Sequence, residues 1–442
     1  VEPSGSWLGN DGSWSPFVIQ VGTPAQNFSV LPATNGQNTW VPIADDCQNL
    51  NTTNCGASRG VFPFHNAQSP GFQTNLSLTW KPIGLFELGQ NSNLGFTGNG
   101  LSGYDIVGFV SDNDSSATYI DQQPVTAYAT PNFWLGQMGL SIRRMNFRQD
   151  EHPNSFLTNL RDRGVIPSLS FGYTAGAPYR KSFQYLQSLT LGGYDQSRTS
   201  PKPLSIPISS DTDRPLTVGL QNILVTNSLN GTLTLSGNTG FLVPIDSSIP
   251  ELWFPQSICD NFAKAFGLQY HEPSTRYIIS DGIREQLRQL SPTLTFVIGT
   301  GVVEGQTTTI DIPYSAFDLQ AGYPIFATTV SYFPIRRAAN DSQYMIGRVF
   351  LQETYLGVDF ERKYFNLSQA VFGTPMPAPD IVTIYSTNST SNSTAKPNTP
   401  NGQAAARLPV GAIAGIAVGI IVVVVLLVLA LVWCIWFRSR KT

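Results

Sequence analysis

Several short runs in this chain have residue types and spacings that chemistry uses. Gly56-Ala57-Ser58-Arg59-Gly60 has the Gly-x-Ser-x-Gly spacing of a hydrolase nucleophile. That motif needs an apolar strand before the serine and a helix after it. Here Cys55 precedes it and Val61-Phe62-Pro63 follows, so the match is read as chance. Gly98-Asn99-Gly100-Leu101-Ser102-Gly103 has the glycine spacing of a dinucleotide fingerprint, but it leads into a strand pattern rather than a helix. His65, His152 and His271 are scattered without paired ligand spacing, so neither a metal nor another cofactor is expected. Arg143-Arg144 and Arg336-Arg337 read as solvated charges. Cys47 and Cys55 flank a short polar loop, while Cys259 stands alone and Cys434 lies in an apolar run. Acceptor sequences for N-glycosylation occur at Asn27, Asn51, Asn75, Asn113, Asn230, Asn340, Asn366, Asn388 and Asn392. One would carry little weight. Nine spread along the chain point to luminal exposure, and with it to a local Cys47–Cys55 disulfide.

The elements that must position any site are mostly strands. A chain of 442 residues is too long for one core and suits two lobes with appendages. Its 41% hydrophobic and 11% aromatic content can fill such cores. Only 12% of residues are charged and the net charge is −3 with no long basic run before the C-terminus, which excludes nucleic acid as a partner class. Phe17–Val21 ends at Gly22-Thr23-Pro24, Ser188–Leu191 at Gly192-Gly193, and Leu294–Ile298 at Gly299, each an apolar or alternating run closed by a turn signal. Helices are predicted over Ser257–Phe266, from Ile258, Phe262 and Phe266 with Gly267 as a stop, and over Asn154–Arg163.

The C-terminal part changes character. Residues 376–408 are rich in Ser, Thr, Asn and Pro and read as a disordered stalk. Val410 to Phe437 carries no charge and exceeds the roughly 20 residues a bilayer requires, so residues 409–437 read as one transmembrane helix. Residues 438–442 include Arg438, Arg440 and Lys441, which places them in the cytoplasm and the N-terminal ectodomain outside or in a lumen. A lipid-anchor signal normally ends in its apolar stretch, so the basic tail argues for a retained span. Gly411, Gly415 and Gly419 form a small-residue face on which two such helices could dimerise. The opening Val1-Glu2-Pro3 shows no signal-like stretch and reads as a processed start rather than as a mark of the cytosol.

Two segments resemble the active-site loops of pepsin-like aspartic proteases. In the first, Val21-Gly22-Thr23-Pro24-Ala25-Gln26 leads to Ala33-Thr34-Asn35, and Trp40-Val41-Pro42 follows. The family has Asp-Thr-Gly there, so Ala33 stands where the first catalytic aspartate belongs and Asn35 where a glycine does. In the second, Phe241-Leu242-Val243-Pro244-Ile245 leads to Asp246-Ser247-Ser248, with Asp246 at the second catalytic position and Ser248 at the glycine. Trp134-Leu135-Gly136 and Met345-Ile346-Gly347 are similar to the later strand of each lobe. Gly103–Val107 resembles the strand after the flap, and Leu191–Asp195 the crossover between lobes. Cys47 and Cys55 match the family's small disulfide loop. The resemblance covers residues 14–372 in order. The stalk and span are similar to those of membrane-attached fungal relatives.

The resemblance implies a mainly β, bilobal fold, with an N-terminal lobe over 1–190 and a C-terminal lobe over 191–375. It also implies a flap that carries Leu94 and Phe96 over Trp40, without the family's tyrosine. Peptide hydrolysis in such enzymes uses two facing carboxylates sharing one proton, so that an acid and a base coexist. With Ala33 present, Asp246 cannot fill both roles. The bulk of Asn35 and Ser248 is expected to crowd the lobe interface. The reading is therefore an inactive, membrane-anchored aspartic protease homologue whose cleft takes extended peptides. The alternatives are an endopeptidase working at acid pH through Asp246, and a purely structural surface glycoprotein.

Overall fold

Phe17–Val21 alternates buried Phe17, Ile19 and Val21 with half-buried Val18 and Gln20, the period of a strand with one face in a core. It pairs antiparallel with Gln26–Ala33 and begins a seven-stranded sheet. The order continues through Gly136–Gly139, Thr39–Pro42, Thr118–Ala129, Asn99–Phe109 and Lys81–Glu87. Phe17–Val21 also pairs with Asn99–Phe109, so the sheet folds back on itself. The structure, a computed structural model, describes residues 1–49, 54–109, 118–148, 150–180, 185–237 and 239–387.

A second sheet joins the two halves of the chain. Its order is Leu204–Pro207, Tyr364–Gln369, Thr354–Asp359, Ser170–Thr174 and Ser188–Leu191, so two strands come from before residue 191 and three from after it. The C-terminal half adds three further sheets. Thr217–Ser228 pairs with Gly231–Thr234, Phe241–Pro244 and Thr293–Gly299, and Leu252–Pro255 lies between Ile335–Ala338 and Met345–Ile346. The expected mainly β architecture is observed.

Both predicted helices form. Gln256–Phe266 buries Ile258, Phe262 and Phe266 and stops at Gly267. Phe156–Asp162 starts at Ser155, whose side chain accepts from the Thr158 N–H. A third helix, Asp281–Leu290, has no predicted counterpart, although Ile283, Leu287 and Leu290 lie on one face of it. The Cys47–Cys55 disulfide is present, with Cα atoms 5.6 Å apart. Cys259 is free and buried, and burial pushes its thiol up to about 12.

The described body continues beyond residue 375, which corrects the predicted start of a disordered stalk. Ile381–Thr383 pairs antiparallel with Gly193–Asp195. Ile384 N–H donates to the Gly192 carbonyl at 3.0 Å, and Thr387 N–H to Glu361 Oε2 at 2.9 Å. Main-chain pairing orders a segment that its polar composition alone would not. The rest of the stalk, the apolar run with Gly411, Gly415 and Gly419, the tail, and Asn51, Asn113, Asn388 and Asn392 lie outside the described residues. Among the described residues no helix is long and apolar enough to cross a membrane.

Candidate active site

The two loops identified in the sequence are brought together, each by the same local construction. Ala33 ends Gln26–Ala33, which runs parallel to Gly136–Gly139 with Ala33 opposite Gly139. Asp246 follows Phe241–Pro244, and its neighbour Ile245 bridges Ile346 in parallel. Glycine is required beside both loops. A Cβ on Gly136 would lie 2.6 Å from the Trp40 carbonyl oxygen, and one on Gly347 2.2 Å from that of Glu251. The apolar-apolar-Gly pattern in each half is therefore a steric condition for bringing the strands this close.

Reciprocal hydrogen bonds lock the loops to each other. Thr34 N–H donates to Ser247 Oγ at 3.0 Å, and Ser247 N–H donates to Thr34 Oγ1 at 3.0 Å. The Ser247 hydroxyl donates to the Pro32 carbonyl at 2.6 Å. All of these atoms are out of solvent, so the exchange satisfies donors and acceptors that water cannot reach.

Asp246 is almost fully buried within this frame. Its Oδ1 accepts from Ser248 N–H at 2.9 Å, and its Oδ2 is buried without a partner. Burial pushes its carboxyl above the ordinary aspartate range. The Ser248 N–H bond, the neighbouring polar groups of Ser248 and Asn91 and the nearby Arg348 cation oppose that rise without cancelling it. Arg348 donates to the Ser247 carbonyl at 2.6 Å and lies over the Trp14 ring. On the partner loop, residue 33 is an alanine and carries no ionisable group. Its carbonyl accepts from Gly36 N–H and Leu140 N–H, both at 3.0 Å. Asp46, the nearby acid in sequence, pairs instead with the buried Arg59.

The expected crowding by Asn35 and Ser248 does not occur. Asn35 turns its amide to the Asp213 carbonyl at 2.9 Å, and its φ is not in the left-handed region that would demand glycine. Ser248 Oγ accepts from Asn91 Nδ2 at 2.7 Å. Each side chain finds a hydrogen-bond partner, while Asn35 Oδ1 is buried without one.

The flap is the hairpin of Lys81–Glu87 and Asn99–Phe109, with its tip over residues 88–98. Leu94 and Phe96 both lie at the cleft, as expected. Leu94 joins Ile249, Trp253, Ala338 and Met345 in one hydrophobic cluster, and Phe96 stacks on Phe133 at 5.3 Å. Trp40 packs edge-on to Phe133 and donates its indole N–H to Asn38 Oδ1 at 2.7 Å, so it serves as a packing aromatic.

Residues 17–370 match the family described as eukaryotic aspartyl protease. The chain belongs to the eukaryotic aspartyl protease family. It is 25% identical over 377 residues to pepsin B of Canis lupus familiaris, covering 81% of this chain and 85% of that protein. It is 25% identical over 342 residues to gastricsin of Callithrix jacchus, covering 76% of each. It is 23% identical over 440 residues to aspartic proteinase 3 of Saccharomyces cerevisiae, covering 85% of this chain and 73% of that one.

Sequence reasoning missed several residues around this aspartyl protease site. Asn91 reaches the Asp246 loop from a flap tip whose contacts no periodicity encodes. Arg336, read as solvated, is instead mostly buried, pairs with Glu251 and lies over Trp253. Arg59, inside the discarded Ser58 motif, is fully buried and holds the Trp134, Thr130 and Phe133 carbonyls. An arginine in a polar loop carries no sequence signal of burial, because the carbonyls that compensate it come from a distant segment.

Proposed function

We propose that this member of the eukaryotic aspartyl protease family does not hydrolyse peptides, and that it is a glycosylated, single-pass membrane protein whose cleft binds peptides. The observation that carries the first part is alanine at position 33, on the loop that Thr34 and Ser247 hydrogen-bond to the Asp246 loop. The reaction needs one group to take a proton from the attacking water and another to give one to the scissile carbonyl. A single carboxyl is either acid or base at a given moment. Loss of one role costs on the order of 10²–10⁴-fold or more. The reciprocal bonds between Thr34 and Ser247 hold the two loops together, without a second carboxylate beside Asp246 in the family's first catalytic position.

The membrane reading rests on the uncharged run Val410–Phe437 and the basic residues after it. This stalked, anchored arrangement is the fungal type, and aspartic proteinase 3 and aspartic proteinase yapsin-3 of Saccharomyces cerevisiae are among the relatives. The glycoprotein reading is supported by exposed Asn75, Asn230 and Asn340. The peptide reading rests on a cleft lined from both halves of the chain, by Leu31, Phe96 and Phe133 on one side and Ser248, Glu251 and Arg336 on the other. Side-chain pockets beside exposed main chain suit an extended peptide.

One observation favours residual activity. Asp246 is retained, and burial holds its carboxyl above the usual range, as suits a general acid. Incubating the protein with mixed peptides at acid pH, beside an Asp246→Ala control, separates the two. Absence of cleavage in both supports the non-catalytic reading.

A further inference from the structure

The flap tip does more than cover the cleft. It is fastened to the opposite half of the molecule at three separate places. Leu94 is 6% exposed and sits among Ile249, Trp253, Ala338 and Met345, all from the C-terminal half. Asn91 Nδ2 donates to Ser248 Oγ at 2.7 Å, beside Asp246. Asn93 Nδ2 donates to the Ser342 carbonyl at 2.6 Å, and Gln343 Nε2 returns a bond to the Asn93 carbonyl at 2.5 Å. The receiving turn is itself braced, because Asn340 Oδ1 accepts from both Ser342 N–H and Ser342 Oγ.

This fastening partitions the cleft. One cavity of about 300 Å³ is walled by Leu94–Phe96, and another of about 570 Å³ by Leu88–Asn93. The tip stands between them. An extended chain laid along the cleft past Ser248 would cross both cavities and the place that Leu94 and Asn91 occupy. Peptide and docked tip therefore exclude one another.

We infer that the flap tip is a built-in occupant of the cleft, with Leu94 holding the place of an aliphatic side chain of the bound peptide. This rests on the reading of the cleft as a peptide site. Leu94 belongs to one hydrophobic cluster with Ile249, Trp253, Ala338 and Met345, so the displacing ligand carries a Leu-like residue there. The bonds at Ser248 and Ser342 are offered by a tethered segment, whose effective concentration is of millimolar order for short linkages. Apparent peptide affinity is reduced by the fraction of molecules whose tip is released. Releasing the tip removes neutral hydrogen bonds and a buried aliphatic contact, and the affinity gain is roughly tenfold or more.

The test uses the full chain in detergent. In an Asn93→Cys/Ser342→Cys variant the docked tip brings the two thiols together, and oxidation closes a disulfide detectable by mass spectrometry of a non-reduced digest. The ligand probe is a fluorescent octapeptide pool with leucine fixed at a central position, compared with the same pool carrying aspartate there. The expected result has three parts: the cross-link forms, the oxidised variant binds the leucine pool about tenfold or more weaker than after reduction, and Leu94→Gly binds it tighter than wild type. Two results overturn the latch. One is no cross-link, with amides of residues 88–98 exchanging as fast in wild type as in Leu94→Gly. The other is equal binding by oxidised and reduced protein. A cross-link with slow tip exchange, but no binding of either pool by any variant, keeps the latch and removes the peptide reading.

Discussion

Replacing Ser247 with alanine isolates what the loop exchange contributes once catalysis is set aside. The hydroxyl accepts from Thr34 N–H and donates to the Pro32 carbonyl, and Ser247 itself is fully buried. Ser247→Ala leaves that N–H and that carbonyl without this partner. It removes one oxygen atom and almost no volume, so a cavity adds little. Leaving a buried donor or acceptor unmade costs about 1–3 kcal/mol. Two such groups give a loss of about 2–6 kcal/mol, toward the lower end where a water molecule reaches the gap. The bond from Ser247 N–H to Thr34 Oγ1 survives, which also limits the loss. Ser247→Thr keeps the hydroxyl and should recover most of it. Denaturant unfolding of wild type and both variants, followed by fluorescence and circular dichroism together, measures the difference and checks that the lobes unfold as one. A loss below about 0.5 kcal/mol for Ser247→Ala would refute the claim that this exchange joins the lobes, since that is the range of an ordinary surface change.

The remaining predictions concern chemistry, pH and modification. Ala33→Asp alone should restore little cleavage, whereas Ala33→Asp with Leu94→Gly should gain more because the tip is released. Adding Asn35→Gly should gain nothing, since Asn35 already finds a partner at Asp213, and a gain in kcat/KM from it would revive the crowding argument. Burial raises the folded-state carboxyl of Asp246 above its ordinary value, and burial does the same for Asp11. A raised acid stabilises the fold fully below its unfolded pKa, about 3.9 for aspartate, and that contribution is lost as pH rises through the folded value. Tm measured across pH should therefore fall less with rising pH in Asp246→Asn than in wild type, and identical profiles would contradict the shift. Among the described acceptor sites, Asn75, Asn230 and Asn340 are exposed and should carry glycans, while the half-buried Asn27 should not. Site mapping by mass spectrometry after enzymatic deglycosylation decides this.

Much of this architecture was legible because local pattern and tertiary role coincide. Phe17–Val21, Ser188–Leu191 and the strand at Leu294–Ile298 alternate or cluster apolar residues and face cores. Ile258, Phe262 and Phe266 repeat every turn of a helix that buries them. Gly136 and Gly347 report a steric limit that no other residue meets. The site was legible where a residue type itself decides the chemistry, as at Ala33 and Asp246. It was opaque where contacts cross the molecule. The accommodation of Asn35 depends on the Asp213 carbonyl, and that of Ser248 on a flap asparagine. Asp281–Leu290 was missed although Ile283, Leu287 and Leu290 recur at helical spacing, a stripe that only three apolar residues among many polar ones carry. Ile381–Thr383 is ordered by pairing with Gly193–Asp195, a partner far away in sequence.

The absence of hydrolysis is the central claim, and one measurement meets it directly. Purified protein is incubated at acid pH with a mixed peptide pool, beside Asp246→Ala and beside an active aspartyl protease as positive control, and the digests are read by mass spectrometry. Wild type and Asp246→Ala should give the same uncleaved pool while the control digests it. Cleavage by wild type that Asp246→Ala abolishes would contradict the account and show that a single carboxylate, with a partner other than residue 33, performs the reaction.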